Sequence, residues 1–398
     1  MTQAKRLAAA IALAGTAFTA PAMADVTVGL LGGLTGPIAG MAPAMVDAMK
    51  LAINQANEQG GVAGGKINAV VGDSACNPQN ATDAATKAVN VSGAIGVVGP
   101  ACSGAVLAAA NSVTVPAGVL TITSSGTSPK ITDLADKDLV FRTVPSDDFQ
   151  GRALARTLKA RGVAKVAVAY VNNDYGKGLA EAFKDEFEKA GGAIAGYAGQ
   201  EDSKASYRSD LAELAKGGAD TLVLFHYGNS AGLTLLRQAI ENGFFKNYVG
   251  ADGMRDEALI KTLGAENLGT FQVSAPRGEA GAAFDAFSAA FRKAGGDPNA
   301  TFAATSYDAA FLMALAVEKA GGNKAKLGES LRAVASAPGE PILPGEWAKA
   351  KKLISEGKDI DYKGAAGDHE FDKAGDVPGA YSFFKVSGST YEAVADMK

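Results

Sequence analysis

Three stretches of the chain combine residue types suited to holding a small charged ligand. Residues 99–104 read Gly-Pro-Ala-Cys-Ser-Gly, after a strand-like run and opening a helical one. A helix start offers free backbone N–H groups and the positive end of its dipole, which suit a carboxylate. Residues 121–128, Thr-Ile-Thr-Ser-Ser-Gly-Thr-Ser, concentrate hydroxyls just past another strand-like run. Residues 250–253, Gly-Ala-Asp-Gly, place a carboxylate at a strand end beside flexible glycine. Each of the first two stretches alone is equally well explained by capping and turn chemistry, and a lone Asp at a strand end is usually a turn or cap residue.

Other stretches invite an enzymatic reading. Residues 228–232, Gly-Asn-Ser-Ala-Gly, match G-x-S-x-G between a strand-like and a helical run, the context of a nucleophile elbow built on Ser230. A secreted serine hydrolase of that type would need a later histidine; only His369 qualifies, in a Gly-rich segment, and His226 precedes the motif. Residues 60–66 have the G-x-x-x-x-G-K spacing of a phosphate loop. Ile67 stands where a magnesium-binding hydroxyl belongs, and the stretch joins a helix to a strand, the reverse of what that loop requires. Asp185, Glu186 and Glu188 alternate with Lys184 and Lys189 as on a solvated helix face.

The elements that must position these residues alternate along the chain. Strand-like runs at 26–31, 66–71, 94–98, 119–123 and 139–144 are separated by helical patterns, including Met45, Met49 and Ile53 at helical spacing and a run at 80–91. The order restarts at 165–171, with a helix over 176–190 and further strands at 193–197, 221–225 and 248–251. Helical segments follow at 282–293, 305–319 and 327–335, then a Gly-rich tail with a final strand pair at 381–386 and 390–394. Two consecutive α/β units predict two similar lobes, each a parallel sheet covered on both faces. Ligand residues then belong at the carboxyl ends of strands, where all three stretches fall.

Composition narrows the function classes. The 398 residues are 47% hydrophobic and 20% charged, which suits globular domains and not a disordered chain. With 38 Lys plus Arg against 42 Asp plus Glu and no basic block, nucleic acid is not an expected partner. Two histidines and two cysteines offer little for a protein-built metal site, and none is expected. Lys5 and Arg6, an uncharged run over 7–19 and small residues at 22 and 24 form the three-part pattern of a secretory signal peptide over residues 1–24, cut after Ala24. The run is short for a spanning helix. In an oxidising compartment Cys76 and Cys102 are expected to join as a disulfide; two reduced, buried thiols are the alternative.

Several segments together resemble the branched-chain amino-acid-binding (Leu/Ile/Val-binding) proteins of periplasmic ABC importers. The markers are Leu34-Thr35-Gly36-Pro37, Ile53-Asn54 leading to Gly60-Gly61-Val62, residues 73–76 paired with 99–103, and residues 123–129. Asn173-Asp174-Tyr175-Gly176, residues 250–253, and Phe371-Asp372 before Gly375-Asp376-Val377 complete them. The resemblance implies an α/β, type I periplasmic binding protein: two Rossmann-like lobes with parallel sheets, joined by a multi-strand hinge. The lobes would be 25–145 plus 276–380 and 146–275 plus 381–398, with chain crossings near Pro145, Pro276 and Ala380. It implies a non-enzymatic, periplasmic protein without cofactor or catalytic residues, which binds an amino acid and serves inner-membrane ABC permease subunits. Ser103 and Thr127 would bind the ligand's α-carboxylate, and the Ser125 carbonyl and Asp252 its α-ammonium. Tyr175 and Tyr227 would close over it, while Cys102 and Phe302 line the side-chain space. Met41 stands where the family often has a tyrosine, and Asp252 where a longer glutamate is common. Amides such as urea, or small aromatic carboxylates, are the runner-up ligands; Asp252 argues for a ligand carrying a cation.

Overall fold

The computed structural model describes residues 25–278 and 280–397; the leader expected over residues 1–24 lies outside them. Five strands form the first sheet: β1 (Val26–Gly32), β2 (Ile67–Asp73), β3 (Ala94–Val98), β4 (Leu120–Thr123) and β5 (Val140–Arg142). They lie in the order β2-β1-β3-β4-β5, all parallel. The second sheet continues with β6 (Lys165–Val171), β7 (Ala193–Gln200), β8 (Thr221–Phe225), β9 (Asn247–Gly250) and β10 (Phe271–Pro276). These run β10-β9-β8-β6-β7, again parallel. Both sheets therefore share a doubly wound order in which the second sheet repeats the first.

Central strands show why. The β3, β4 and β8 sequences AIGVV, LTIT and TLVLF are rich in β-branched and apolar residues and almost wholly buried, as strands covered on both faces must be. The helix Ala303–Lys319 is mostly apolar and is buried from Ala303 to Val317, packed between the helix Ala42–Glu58 and strands of the first sheet.

The chain does not keep its halves separate. After β5 it enters the helix Asp147–Ala160, which packs on the helix Asp174–Lys189 over the second sheet. After β10 it returns to the first sheet through the helices Ala282–Lys293, Ala303–Lys319 and Leu327–Ala335. It crosses again into a hairpin, β14 (Tyr381–Ser387) and β15 (Thr390–Met397), which extends the second sheet antiparallel to β10. Between these returns lies a small third sheet of β11 (Glu340–Ile342), β12 (Ile360–Gly364) and β13 (Gly367–Asp368). The sequence does not announce it, because its strands are as short as two residues.

The helical run expected over 80–91 begins earlier, at Pro78, because the Asn77 side chain accepts from the N–H groups of Gln79 and Asn80 and caps it. From Lys87 to Val91 it widens into a π-type turn. The phosphate-loop spacing at 60–66 is a tight connection closed by a bridge between Val62 and Gly65. Among the described residues no helix is long and apolar enough to cross a membrane, and no cluster of three or more potential metal ligands occurs.

Candidate ligand-binding site

In each sheet the strand order reverses beside the first strand, between β1 and β3 and between β6 and β8. Loops leaving these strands open a crevice at their carboxyl ends, the place such sheets use for ligands. The loops after β1, β3 and β4 meet those after β6, β8 and β9 around a space of about 310 Å³, part of it open to solvent. Met41, Cys102, Ser103, Ser125, Tyr175, Tyr227, Asp252 and Phe302 line it, so the structure brings together eight of the nine expected positions. Ile38, Met45, Ala101 and Gly253 complete the wall. Met45 had looked like a core residue of its helix, and its apolar helical spacing carries no sign of a second role.

The first-sheet wall is held from behind by its own hydroxyls. Ser125 Oγ donates to the Ala101 carbonyl at 2.8 Å, and Thr123 Oγ1 to that of Pro100 at 2.7 Å. Ser103 Oγ accepts from the N–H groups of Thr127 and Ser128, at 3.2 and 3.1 Å. Gly99 has φ +98°, and a Cβ there would stand 2.2 Å from the Leu31 carbonyl, so only glycine lets β3 turn this close to β1. The expected disulfide is present: Cys76 and Cys102 are joined, with Cα atoms 5.3 Å apart.

Opposite stands an aromatic and acidic wall. The Tyr175 and Tyr227 rings stack with centroids 5.2 Å apart. Asn173 Nδ2 donates to the Tyr227 hydroxyl at 3.3 Å, and its Oδ1 caps the helix carrying Tyr175. Tyr175 Oη donates to Asp252 Oδ1 at 2.9 Å and accepts from the Gly253 N–H at 3.2 Å. A Cβ at Gly253 would lie 2.9 Å from that hydroxyl, so the missing side chain is what admits it. Burial pushes the Asp252 carboxyl from 3.8 up to about 6, although the Tyr175 hydrogen bond favours its charged form.

Thr127 is the expected position that does not line the cavity. It is fully buried behind the wall, where its hydroxyl lies beside the Asp147 carboxylate and favours its charged form. Its carbonyl accepts from the Asp147 N–H at 2.8 Å and from Arg142 at 3.0 Å. Asp147 is the polar residue the sequence reading missed. Ser146-Asp147-Asp148 reads as a cap followed by an acidic first turn, and Ser146 does cap that helix. Yet the Asp147 side chain is wholly buried, with the Thr127 hydroxyl as its polar neighbour. Burial, reinforced by the nearby Asp252 charge, raises its pKa well above the usual carboxylate range. Arg142 offsets little of this. Its Nε and one terminal nitrogen already grip the two oxygens of Asp376, both at 2.6 Å. The site therefore holds two buried carboxylates short of cationic partners.

The serine-hydrolase geometry is not assembled. Ser230 Oγ donates to Asp202 Oδ1 at 2.7 Å. His226 is bonded to Gln200 at 3.0 Å, and His369 lies against Asp308 beside the third sheet. Neither histidine bonds to the serine, so the motif serves to open a helix.

Residues 44–389 match the profile described as the receptor family ligand binding region. The "Leucine-, isoleucine-, valine-, threonine-, and alanine-binding protein" of Pseudomonas aeruginosa is 32% identical over 82% of this chain and 87% of its own length. The chain belongs to the branched-chain amino-acid-binding protein family. Solved structures agree on the fold, that of a type I periplasmic binding protein with two α/β lobes. A branched-chain amino-acid transporter substrate-binding protein from Streptococcus pneumoniae, in complex with isoleucine, superposes with a TM-score of 0.79. It is 24% identical, over 94% of this chain and 99% of that one. A solute-binding protein from R. palustris, in complex with benzoate, gives a TM-score of 0.77 at 20% identity, over 94% and 96% of the two chains.

Proposed function

We propose that this protein is the periplasmic solute-binding component of an ABC importer. It binds one amino acid, branched-chain or otherwise apolar, between the lobes and presents it to inner-membrane permease subunits. The observation that carries the reading is Asp252, a buried carboxylate facing a small cavity whose other polar groups are uncharged. A ligand ammonium there supplies the missing cation, with the Ser125 carbonyl as its second acceptor, while Ser103 and the backbone N–H groups beside it receive the α-carboxylate. Ile38, Met41, Met45, Cys102 and Phe302 leave only apolar and sulfur surface for the side chain. Tyr175 and Tyr227 form the face that closes when the lobes, 25–145 plus 276–380 and 146–275 plus 381–398, move about their crossings. Thr127 acts from behind, with Asp147. No bond is made or broken in this reading, and no cofactor is needed. Residues 1–24 are the export leader, cleaved after Ala24.

Calorimetric titration with free amino acids, amides and aromatic acids tests it. Aliphatic amino acids are expected to bind, whereas urea and benzoate leave both carboxylates uncompensated. Binding of an aromatic acid with no response to any amino acid would overturn the assignment.

A further inference from the structure

Arg255 ties together two walls of the ligand cavity without lining it. It follows the short turn Asp252–Met254 that carries the cavity carboxylate, and its backbone N–H donates to the Asp252 carbonyl at 3.0 Å. From this second-sheet side its guanidinium reaches residues 299–301, which lead into the helix Ala303–Lys319 packed on the first sheet. One terminal nitrogen donates to Thr301 Oγ1 at 3.1 Å and the other to the Asn299 carbonyl at 2.9 Å. Thr301 Oγ1 donates in turn to the Arg255 carbonyl at 2.7 Å, so the two residues hold each other reciprocally. Both are buried, and the guanidinium is seated 4.2 Å over the Phe384 ring, where water does not compete for these bonds. Asp297 and Glu257 supply negative charge nearby. What the guanidinium adds here is direction, since its planar fork fixes two acceptors at once.

The residue after Thr301 is Phe302, which lines the cavity and has φ +63° and ψ +10°. That is the left-handed region, an outlier for a bulky side chain that persists only where the surroundings over-determine it. On its C-terminal side the helix fixes its carbonyl, which accepts from the Ser306 N–H and the Thr305 hydroxyl, each at 3.0 Å. On its N-terminal side the anchor is Arg255, gripping Asn299 and Thr301. Phe302 is held in its conformation from both sides.

We propose that Arg255 is a positioning residue for recognition of the ligand's side chain. Through Thr301 it keeps Phe302 left-handed, with the ring set against the apolar side chain, and it fixes that ring relative to the turn whose Asp252 receives the ammonium. An amino acid is thereby gauged from two ends across one rigid link, its charge at Asp252 and its length at Phe302. This role rests on the amino-acid reading of the cavity.

Calorimetric titration with leucine and with alanine tests it on the wild type, Thr301→Val, Thr301→Ser and Arg255→Gln. Thr301→Val keeps the branched shape and removes the hydroxyl shared with Arg255. Leucine affinity is expected to fall about tenfold or more in Thr301→Val and Arg255→Gln. Alanine, whose methyl leaves the ring largely untouched, should lose at most about threefold. Thr301→Ser retains the hydroxyl and should keep both affinities within about threefold of wild type. A leucine-to-alanine affinity ratio unchanged in Thr301→Val or Arg255→Gln, as lost stability alone would give, overturns the proposal. So does a Thr301→Ser protein that behaves like Thr301→Val. Crystal structures of the ligand-free wild type and Thr301→Val give a readout that needs no amino acid. Phe302 should leave the left-handed region in the variant alone, and the same backbone in both overturns the clamp. If no amino acid binds the wild type, the solute reading fails, and the Phe302 backbone still decides the clamp by itself.

Discussion

Replacing Asp252 by asparagine separates a binding carboxylate from a structural one, because the two roles predict opposite signs. Burial raises its pKa from 3.8 to about 6 in the folded protein. At about 1.36 kcal/mol per unit, holding it ionised in the empty site costs roughly 3 kcal/mol. The folded pKa lies above the unfolded one. The associated stability is therefore fully present below pH 3.8 and is lost as pH rises through about 6. Asparagine removes that penalty at neutral pH, and it also relieves Asp147 of a like charge. The ligand-free Asp252→Asn protein should accordingly melt higher than wild type at pH 7. Affinity should move the other way. Losing one partner of a buried charge pair costs about 2–5 kcal/mol, or roughly 300-fold in Kd at the middle of that range. Thermal melting at pH 5 and 7 with calorimetric titration of leucine measures both. An amino-acid affinity within threefold of wild type would refute the reasoning, and so would a variant that melts lower at pH 7.

The same carboxylate links binding to protons. An ammonium lowers its pKa, so at pH 6 about half a proton should leave per ligand bound, and affinity should rise from pH 5 to 7; titration in buffers of different ionisation enthalpy reads this directly. Tyr175→Phe deletes the hydroxyl donated to Asp252, which should weaken amino-acid binding by about 1.5–3 kcal/mol and move the pH profile upward. Cys76→Ser opens a staple between residues 26 positions apart and should lower unfolding stability by roughly 3–4 kcal/mol in a denaturant titration.

Much of the scaffold was legible because parallel sheets leave a strong trace. The runs at β1, β3 and β8 are short, apolar and β-branched, and they alternate with helical spacing. The ligand loops were legible for the same reason, since they follow those strands. What escaped depended on contacts between distant segments. Asp147 looks like any acid in a first helical turn; only the crossing after β5 carries it behind Thr127 and beside Asp252. Thr127, expected in the wall, lies behind it because the Ser103 hydroxyl takes its N–H and Arg142 its carbonyl. Met45 has one apolar face serving both core and cavity, which no spacing rule can divide. Ser230 shows the reverse case, a complete local motif whose partner, Asp202, makes it a helix-opening serine.

Cys102 occupies two offices, one in the cavity wall and one in the disulfide. No other residue can stand there without cutting the staple, so that patch of the pocket is closed to variation by single substitution. A lineage that changes its preferred ligand must write the change elsewhere, on Met41, Met45, Ile38 or Phe302. Directed evolution for a new specificity would find its freedom on those four positions and meet a stability cliff at the fifth.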